Sequence, residues 1–347
     1  MRNSNIQICN EIIHPGEFLS LALPLPELFG CAPMYLPIKI LQGKQSGPCL
    51  LIIAAMHGNE LNGTEIINRL LKNKAVQKLH GTLILIPVIN VYGLINRLST
   101  LPSTFDLEKS FPGSENGTHT GRIAHIFCKE IFSKADYCID LQTGFFNHSN
   151  FPSIHVDFDD LNAKELAEAY NSPVITRLKP EKGTLAAYAF ENKIPYILYK
   201  AGEALRFDEV AIRSGLRGVL NVMRKIKMLP LRNPQKSAVL KSFIADKNIW
   251  VRSSMSGINH STLKLGQYVK AGDVLCEIKD PFGVGDDLTI EAPEDSIIVG
   301  KNNIPLVYEG EGVFQLGVFS KMQQAASHLE EWKEKTVEQF NEERSNS

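Results

Sequence analysis

Short, almost entirely apolar segments constrain the fold of this chain most. Four of them, rich in isoleucine, valine and leucine, occupy residues 49–55, 82–89, 136–141 and 195–199. A strand that is apolar at nearly every position must be covered on both faces, as in a sheet between two layers of helices. The stretches between them carry apolar residues at helical spacing: Ile66, Ile67, Leu70, Leu71; Ile123, Ile126, Phe127, Ile131; Leu161, Leu166, Ala169 and Tyr170. This alternation predicts an α/β domain.

The pattern changes after residue 229. The segment PLRNPQKS carries two prolines, and short alternating apolar and polar segments between glycine turns follow it. Such a break indicates a domain boundary near residues 230–245. We therefore predict an α/β domain at residues 1–235, a small antiparallel β barrel or sandwich at 245–320 and a charged helix at 321–347.

The predicted C-terminal helix has one apolar face. A stripe of this kind usually docks on its own domain, and recruitment of a partner is the alternative. The stripe consists of Met322, Ala325, Leu329, Trp332 and Phe340.

Charge and cysteine content limit the partners and the compartment. Lys and Arg number 37 against 38 Asp and Glu, so no basic field exists to hold nucleic acid or an anionic membrane. Without a CxxC pair, the cysteines are expected to be buried free thiols. Neither a signal-peptide core nor a run of about 18 apolar residues occurs, and these features together predict a cytoplasmic location. The six cysteines are Cys9, Cys31, Cys49, Cys128, Cys138 and Cys276.

His57 and Glu60 follow directly on the first apolar segment, in the stretch LLIIAAMHGNELNGTEIINRLL. In an α/β sheet, the carboxyl end of a strand opens on the crevice where ligands bind. An imidazole and a carboxylate three residues apart at such a turn can converge on one metal ion, as a catalytic zinc site requires. The HxxE spacing also occurs by chance on exposed helices, but its place at a strand end, with Gly58 allowing a tight turn, favours a metal site.

Four motifs in this order resemble those of the succinylglutamate desuccinylase/aspartoacylase family, which belongs to the zinc carboxypeptidase clan: HGNE, NVYGLINR, DLEKSFPG and DLQTG. The stretch YKAGEALRFDE and the apolar helix after it extend the similarity, particularly to members with a C-terminal β domain. The resemblance covers nearly the whole chain. It implies a carboxypeptidase-like mixed sheet flanked by helices, followed by a small all-β domain similar to the biotinyl/lipoyl barrel.

The resemblance also implies a zinc-dependent deacylase, which hydrolyses an amide bond in an acyl-amino-acid or peptide-like substrate. In that family one His and one Glu of the first motif hold the metal together with a second His, and a further Glu activates water. The first two ligands correspond to His57 and Glu60, and an arginine that contacts the substrate corresponds to Arg97. The chain matches the family at these three positions.

Two other catalytic positions depart from the family pattern. Gln142 stands where the motif DLHTG supplies the third zinc ligand, and a neutral amide oxygen is a poorer zinc ligand than imidazole. Lys200 stands where the family has its catalytic glutamate. A divalent ion and an ammonium ~5 Å apart repel each other by about 6 to 7 kcal/mol at an effective dielectric constant of ~20. Either Lys200 turns away, or it is neutral, or the site holds no zinc.

Glu108 and Lys109 replace an Asn-Arg pair that, by the resemblance, grips a carboxylate of the substrate. An Arg fork binds a carboxylate bidentately, whereas Lys supplies only a point charge. Glu108 would repel such a carboxylate. N-acetylaspartate and N-succinylglutamate are therefore not favoured as substrates.

Several nearby polar residues are weaker candidates. Glu203, three residues beyond Lys200, could act as the general base. His148 and His155 follow the strand of Gln142 and could replace the missing ligand, although solvated or core histidines are commoner. The others are His119 and His125 as structural histidines, Asp140 as a carboxylate behind the ligands, and Arg122 and Arg206 as anion-binding residues or surface ion pairs.

The C-terminal β segment does not present a carrier lysine. At the hairpin where biotinyl and lipoyl carriers present their modified lysine, this chain has Glu291, Ala292 and Pro293. Lys270, in GQYVKAGD, is expected to be a solvated turn residue. The segment is therefore expected to be structural, as one wall of the cleft or as an oligomer contact.

Two functions remain open. One is a metal-dependent deacylase with an altered, impaired site, in which His57, Glu60 and weakly Gln142 hold zinc. The other is a non-catalytic relative that binds a small metabolite or a partner protein in the same cleft, which the joint loss of a ligand and the base favours. A resemblance in fold alone is the third possibility. The expected partners are a small-molecule or peptide-like ligand and a second copy of the chain in a homo-oligomer.

Overall fold

The structure, a computed structural model, describes residues 4–27, 33–101, 106–231 and 242–345, with side chains described up to residue 336. In these ranges the strands, numbered β1 to β19, are Ile6–Ile8, Glu11–Ile13, Phe18–Pro24, Tyr35–Gln42, Cys49–Ala54, Thr82–Ile86, Tyr137–Gly144, His148–Val156, Val174–Arg177, Tyr196–Glu203, Phe243–Ala245, Lys247–Arg252, Gly257–His260, Tyr268–Val269, Val274–Lys279, Leu288–Glu291, Ser296–Asn302, Leu306–Val307 and Gly312–Val318. The helices α1 to α7 are Asn62–Lys72, Val91–Asn96, His119–Glu130, Leu161–Tyr170, Leu185–Glu191, Glu209–Lys225 and Met322–Ser345.

One large mixed sheet organises the described residues. Its strands follow the order β12-β19-β17-β8-β10-β7-β5-β6-β4-β3, with β9 and β14 added beside β8 and β17, and β11 beside β9. The central strands β10, β7, β5 and β6 run parallel, whereas β8 is antiparallel to β10 and β4 is antiparallel to β6. The carboxyl ends of the four central strands therefore meet at one edge.

Alternate residues of each central strand enter different cores. In β7, Ile139 and Leu141 pack with α1, α4 and α6 on one face of the sheet. Cys138 packs on the opposite face, against α3 and α5. Because side chains alternate along a strand, Asp140 and Gln142 lie on the same face as Cys138. Coverage on both faces explains the continuous apolar runs, and the predicted fold class is confirmed.

The C-terminal strands form an all-β region that continues the large sheet. β17 pairs antiparallel with the start of β8, in the register Gly300↔Asn150 and Asn302↔His148. A separate sheet in the order β16-β15-β13-β18 covers this region. The exposed Lys270 lies in a turn where its backbone N–H donates to Asp273.

The predicted division at residues 235 and 245 stays a prediction. Residues 232–241 lie outside the described part of the chain, and β11 pairs with β9 of the α/β part.

Helix α7 docks on its own chain. Ala325 and Leu329 are fully buried, and the Trp332 ring packs edge-on against Phe151 of β8, with ring centroids 5.5 Å apart. Met322 is partly buried in the same cluster, while the side chain of Phe340 lies outside the described residues. The expectation that the stripe covers its own domain is confirmed for the described positions.

Replacing Trp332 with alanine should lower the free energy of unfolding by about 3 to 5 kcal/mol, because it empties a site that is 97% buried between α7 and β8. Urea denaturation measures the loss, with the exposed Glu334→Ala on the same helix as control. A loss below about 1 kcal/mol would show that α7 is not part of the cooperative fold.

Four of the five described cysteines are buried free thiols. They are Cys49, Cys128, Cys138 and Cys276; Cys9 is half-buried, and Cys31 lies outside the described residues. Burial raises the pKa of the Cys128 thiol to about 12, so it stays protonated and unreactive. Among the described helices, none is both long enough and apolar enough to cross a membrane.

Candidate active site

The His57–Glu60 turn lies at the carboxyl edge of the sheet, between the end of β5 and the start of α1. The chain leaves β5 through Ala55, which is buried and has a left-handed φ of 51°. A non-glycine residue in this conformation is strained, and such strain concentrates at functional sites. A Cβ at Gly58 would lie 2.1 Å from the backbone of Gly93 and Leu94, so only glycine lets the turn pack on α2.

His57 is buried and held by carboxylates on both ring nitrogens. Its Nδ1 lies 3.1 Å from Glu60 Oε1, and its Nε2 lies 3.3 Å from Asp106 Oδ1. Burial opposes the charged imidazole, but Asp106, Glu60 and Glu108 outweigh it and raise the pKa of His57 to about 10. When the neutral imidazole donates its Nε2–H to Asp106, its Nδ1 carries a lone pair instead of a proton. This lone pair faces the carboxylate of Glu60, so only a proton or a metal ion can lie between the two atoms.

The side chain of Glu60 also fits a cation site. Its side chain is 1% exposed, and its Oε2 has no hydrogen-bond partner among the described residues. A buried carboxylate oxygen without a partner costs free energy unless an ion or water satisfies it. The turn therefore fits a metal ion held by His57 Nδ1 and Glu60.

Asp106 is a functional residue that the sequence analysis missed. It precedes a single 3₁₀ turn, Leu107–Lys109, and its carboxylate accepts the backbone N–H of Glu108 at 3.0 Å. The hydrogen bond from His57 lowers the pKa of Asp106 against the effect of its burial. The sequence does indicate that Asp106, at the start of DLEKS, caps a helical turn. It does not indicate that this side chain contacts His57.

Gln142, on β7, uses its amide nitrogen. Nε2 donates to Asp140 Oδ2 at 3.0 Å and to Glu108 Oε1 at 3.4 Å. Asp140 also accepts the Tyr196 hydroxyl at 2.8 Å, and burial raises the pKa of Asp140 to about 7. In this orientation the amide nitrogen of Gln142 is bound to two carboxylates.

Lys200 faces the same cleft. It pairs in register with Gln142 across the parallel strands β10 and β7, so the two side chains share one face of the sheet. Its Nζ lies 4.9 Å from the centroid of the Phe145 ring, and that ring is 6.3 Å from the His57 ring. Within the described residues, no carboxylate forms an ion pair with Lys200.

Glu203 lies beyond a bulge that Gly202, with φ of 74°, makes in β10. Its carboxylate is buried and accepts hydrogen bonds from Ser149 at 2.9 Å, Asn303 at 2.8 Å and Arg206 at 3.2 Å. Because Asn303 follows β17, Glu203 ties the C-terminal region to the strand that carries Lys200.

The basic residues predicted near the substrate lie on the surface. Arg97 ends α2 with a left-handed φ of 58° and is exposed. Lys109 is exposed in the 3₁₀ turn after Asp106, and Arg122 is exposed on α3. In the described part of the chain, none of the three bonds to the His57 cluster.

The other histidines have separate surroundings. His148 packs on Trp250, with ring centroids 5.2 Å apart. Burial lowers the pKa of His148, and the nearby charge of Lys200 lowers it further. His155 Nε2 lies 3.1 Å from Ser153 Oγ, and His119 Nε2 lies 3.2 Å from the Pro26 carbonyl. These contacts do not bring them to His57.

His155 makes the fold sensitive to acid. Burial, helped by Lys200, lowers the pKa of His155 from 6.5 to about 3, so the native state keeps it neutral while the unfolded chain protonates it below pH 6.5. Its contribution to stability is complete above pH 6.5 and falls as the pH drops toward 3. Between pH 6 and pH 4 this group should cost the wild type about 2 to 3 kcal/mol, a loss that His155→Asn avoids.

Urea denaturation at the two pH values measures the difference, with the exposed His260→Asn as control. An equal acid-induced loss in His155→Asn and the wild type would contradict this origin.

Comparisons with known proteins agree with this fold. A relative from Halomonas elongata, N-alpha-acetyl-L-2,4-diaminobutyric acid deacetylase, is 24% identical over 275 residues, which cover 76% of this chain and 79% of that protein. The succinylglutamatedesuccinylase/aspartoacylase structure from Rhodobacter sphaeroides aligns with a TM-score of 0.78 and 20% identity, covering 87% of this chain and 96% of the other. The product-bound ectoine utilization protein EutE (DoeB) from Ruegeria pomeroyi also aligns with a TM-score of 0.78, at 21% identity, covering 87% and 95%.

The family model of the succinylglutamate desuccinylase/aspartoacylase catalytic domain matches residues 46–226, from the segment before β5 to the end of α6. That span is more than half of the chain and contains the His57–Glu60 turn, Asp106, Gln142 and Lys200. The chain therefore belongs to the succinylglutamate desuccinylase/aspartoacylase family.

Proposed function

We propose that this protein is a metal-dependent deacylase that hydrolyses the amide bond of an acyl-amino acid. The observation that carries this proposal is the pairing of His57 Nδ1 with Glu60 Oε1 at 3.1 Å, next to the unpartnered Glu60 Oε2. A named relative, the Halomonas elongata protein, is a deacetylase. The family resemblance suggests zinc as the metal.

Each residue has a separate role in this proposal. His57 and Glu60 hold the metal, and Gln142 contributes weakly as a neutral amide. Asp106 accepts a hydrogen bond from His57 Nε2–H, which leaves the Nδ1 lone pair free to bind the metal. A divalent metal here would polarise the scissile carbonyl and lower the pKa of water.

The candidate base is Glu203. Its Oε2 accepts hydrogen bonds from Ser149 and Asn303, whereas its Oε1 accepts only one, from the exposed Arg206. Oε1 therefore keeps a lone pair that can take a proton.

We propose Arg97 and Lys109 as the basic residues that meet the substrate carboxylate at the cleft edge. Lys200, at the family position of the base, orients the substrate instead.

A second candidate function is non-catalytic binding of the same class of ligand. The observation that favours it is the Gln142 amide nitrogen, which donates to Asp140 and Glu108 and leaves the third ligand position without an imidazole. In that case the cleft would bind an acyl-amino acid without turnover.

A panel of N-acetyl and N-succinyl amino acids, assayed by release of the free amine with added zinc, separates the two functions. The deacylase proposal predicts turnover that falls by about a thousandfold or more in His57→Ala, because the metal is lost. Glu115→Gln, an exposed acid away from the cleft, is the matched control and should keep full activity. Binding of panel members without any turnover would select the second function.

A further inference from the structure

Three segments meet at the turn between β5 and α1, each at a different residue. The ring of Phe145, in the loop after β7, has its centroid 6.3 Å from that of His57. Gly58 packs directly on the backbone of α2. The carbonyl of Asn59 accepts the backbone N–H of Leu205, in the loop after β10, at 2.8 Å. All three segments therefore border the candidate metal site.

These segments expose six large apolar side chains. Five of the six are more than half exposed, and the sixth, Leu205, is 37% exposed. Single exposed apolar side chains are ordinary on a protein surface, but several on adjoining segments form a patch of the kind that binds a ligand or a partner. We call this patch the apolar rim; it consists of Ile95, Leu98, Phe145, Phe146, Leu205 and Phe207.

The loop after β10 holds its part of the rim in a fixed place. Leu205 has a left-handed φ of 58°, a conformation that strains a leucine and persists only where the surroundings enforce it. Its hydrogen bond to Asn59 fixes the loop to the turn, and the bond from Ala204 N–H to the Gly144 carbonyl, at 3.1 Å, fixes it to the end of β7. The exposed Leu205 and Phe207 are therefore presented beside the candidate site.

The interior of the cleft differs from its rim in polarity. Asp106 and Glu108 lie at the Nε2 side of His57, and the ammonium of Lys200 lies over the inner rim residue Phe145. A ligand that suits both parts has a charged end and an apolar end. An acyl-amino acid has this form when its acyl group is apolar, because its amide and its carboxylate lie at one end.

The rim is too large for a short or charged acyl group. Burying a phenylalanine removes roughly 150 to 250 Å² from water, so the exposed parts of Phe145, Phe146 and Phe207 together leave roughly 250 to 450 Å² uncovered. The single methyl of an acetyl group covers little of this area, and one aromatic amino-acid side chain does not cover it all. A carboxylate placed against these rings would lose its hydration without gaining a partner.

We infer that the acyl group of the substrate is an apolar chain of four or more carbons that lies on the apolar rim, while the amino-acid half lies in the charged cleft. The inference rests on the proposed function and names the acyl class of its substrate. The scissile carbonyl of such a substrate lies at the turn that all three segments border, so the acyl chain begins beside the rim.

The test measures binding of sulfonamide probes, which resist hydrolysis. Isothermal titration of the protein as purified should show that N-butylsulfonylglycine binds about tenfold or more tightly than N-methylsulfonylglycine, because each added methylene contributes about twofold to fourfold. N-methylsulfonyl-L-norvaline is an isomer of the butyl probe with its carbons on the amino-acid side. It should bind at least about fivefold more weakly than the butyl probe.

Variants of the rim assign the gain to its side chains. Phe146→Ser and Phe207→Ser together should remove most of the advantage of the butyl probe and leave the affinity for the methyl probe within about twofold. Both residues are exposed, so the double variant should keep the wild-type fold. Phe190→Ser is the matched control, since Phe190 is also exposed but lies at the end of α5, before the amino end of β10.

The outcomes separate this inference from the deacylase proposal. Equal affinities for the butyl and methyl probes, equal affinities for the two isomers, or a gain that survives the double variant overturns the inference even if the protein hydrolyses N-acetyl amino acids. A rim that pairs two copies of the chain would also overturn it, and light scattering would then show a lower mass for the double variant. The predicted gain in a protein without turnover supports the rim as an acyl-chain site and refutes the deacylase proposal.

Discussion

Replacing Gln142 with His and Lys200 with Glu together should raise the affinity for zinc by roughly 100-fold or more. This gain exceeds the effect of mutating residues that only hydrogen-bond to metal ligands, which is about 10-fold to 100-fold. Gln142 shares a face of the sheet with Lys200 and lies beside the His57 cluster, so an imidazole there would add a third ligand. Removing the ammonium takes away a repulsion of about 6 to 7 kcal/mol, for ~5 Å and an effective dielectric constant of ~20. Isothermal titration with zinc measures the change.

The single variants are the internal controls for this result. Gln142→His alone should recover part of the gain, and Gln142→Asn, which keeps a neutral amide, should recover none. If the double variant binds zinc no better than the wild type, the cleft has diverged at more positions than these two.

Gly58→Ala should destabilise the fold by about 3 kcal/mol or more and abolish metal binding. The new Cβ would lie 2.1 Å from the carbonyl carbon of Gly93 and the nitrogen of Leu94. Both are backbone atoms, which cannot rotate away as a side chain could. The turn would have to lift from α2, which carries His57 and Glu60 out of position.

Thermal unfolding and zinc titration of Gly58→Ala measure both effects. Gly285→Ala is the matched control, because a Cβ there meets its nearest neighbour, Asp280, at 3.5 Å. A Gly58→Ala variant with wild-type stability and zinc affinity would show that α2 moves freely and does not position the turn.

The fold could be predicted because its determinants are local and redundant. The run at residues 49–55 is apolar at every position, and β5 is buried at every position in the sheet. A polar turn follows this strand, and after it Ile66, Ile67 and Leu70 recur at helical spacing. A helix buries these three side chains on one face, and α1 does so. The attachment of the C-terminal strands to β8 was not predictable, because such pairing joins residues about 150 positions apart.

The candidate site was predictable only where its residues are neighbours in the chain. His57 and Glu60 meet because three residues separate them across one turn. Asp106 reaches His57 from 49 residues away, and its position depends on how a separate loop packs. Two of the three hydrogen bonds of Glu203 likewise come from distant residues, Ser149 in β8 and Asn303 after β17, and only that of Arg206 comes from a neighbour in the chain.

Metal content tests the central claim most directly. Untagged protein, purified without chelator and dialysed against a slight excess of zinc, should retain close to one zinc per chain by plasma mass spectrometry, and His57→Ala should retain none. Wild-type protein that retains no metal would contradict the proposal that His57 and Glu60 hold a catalytic metal.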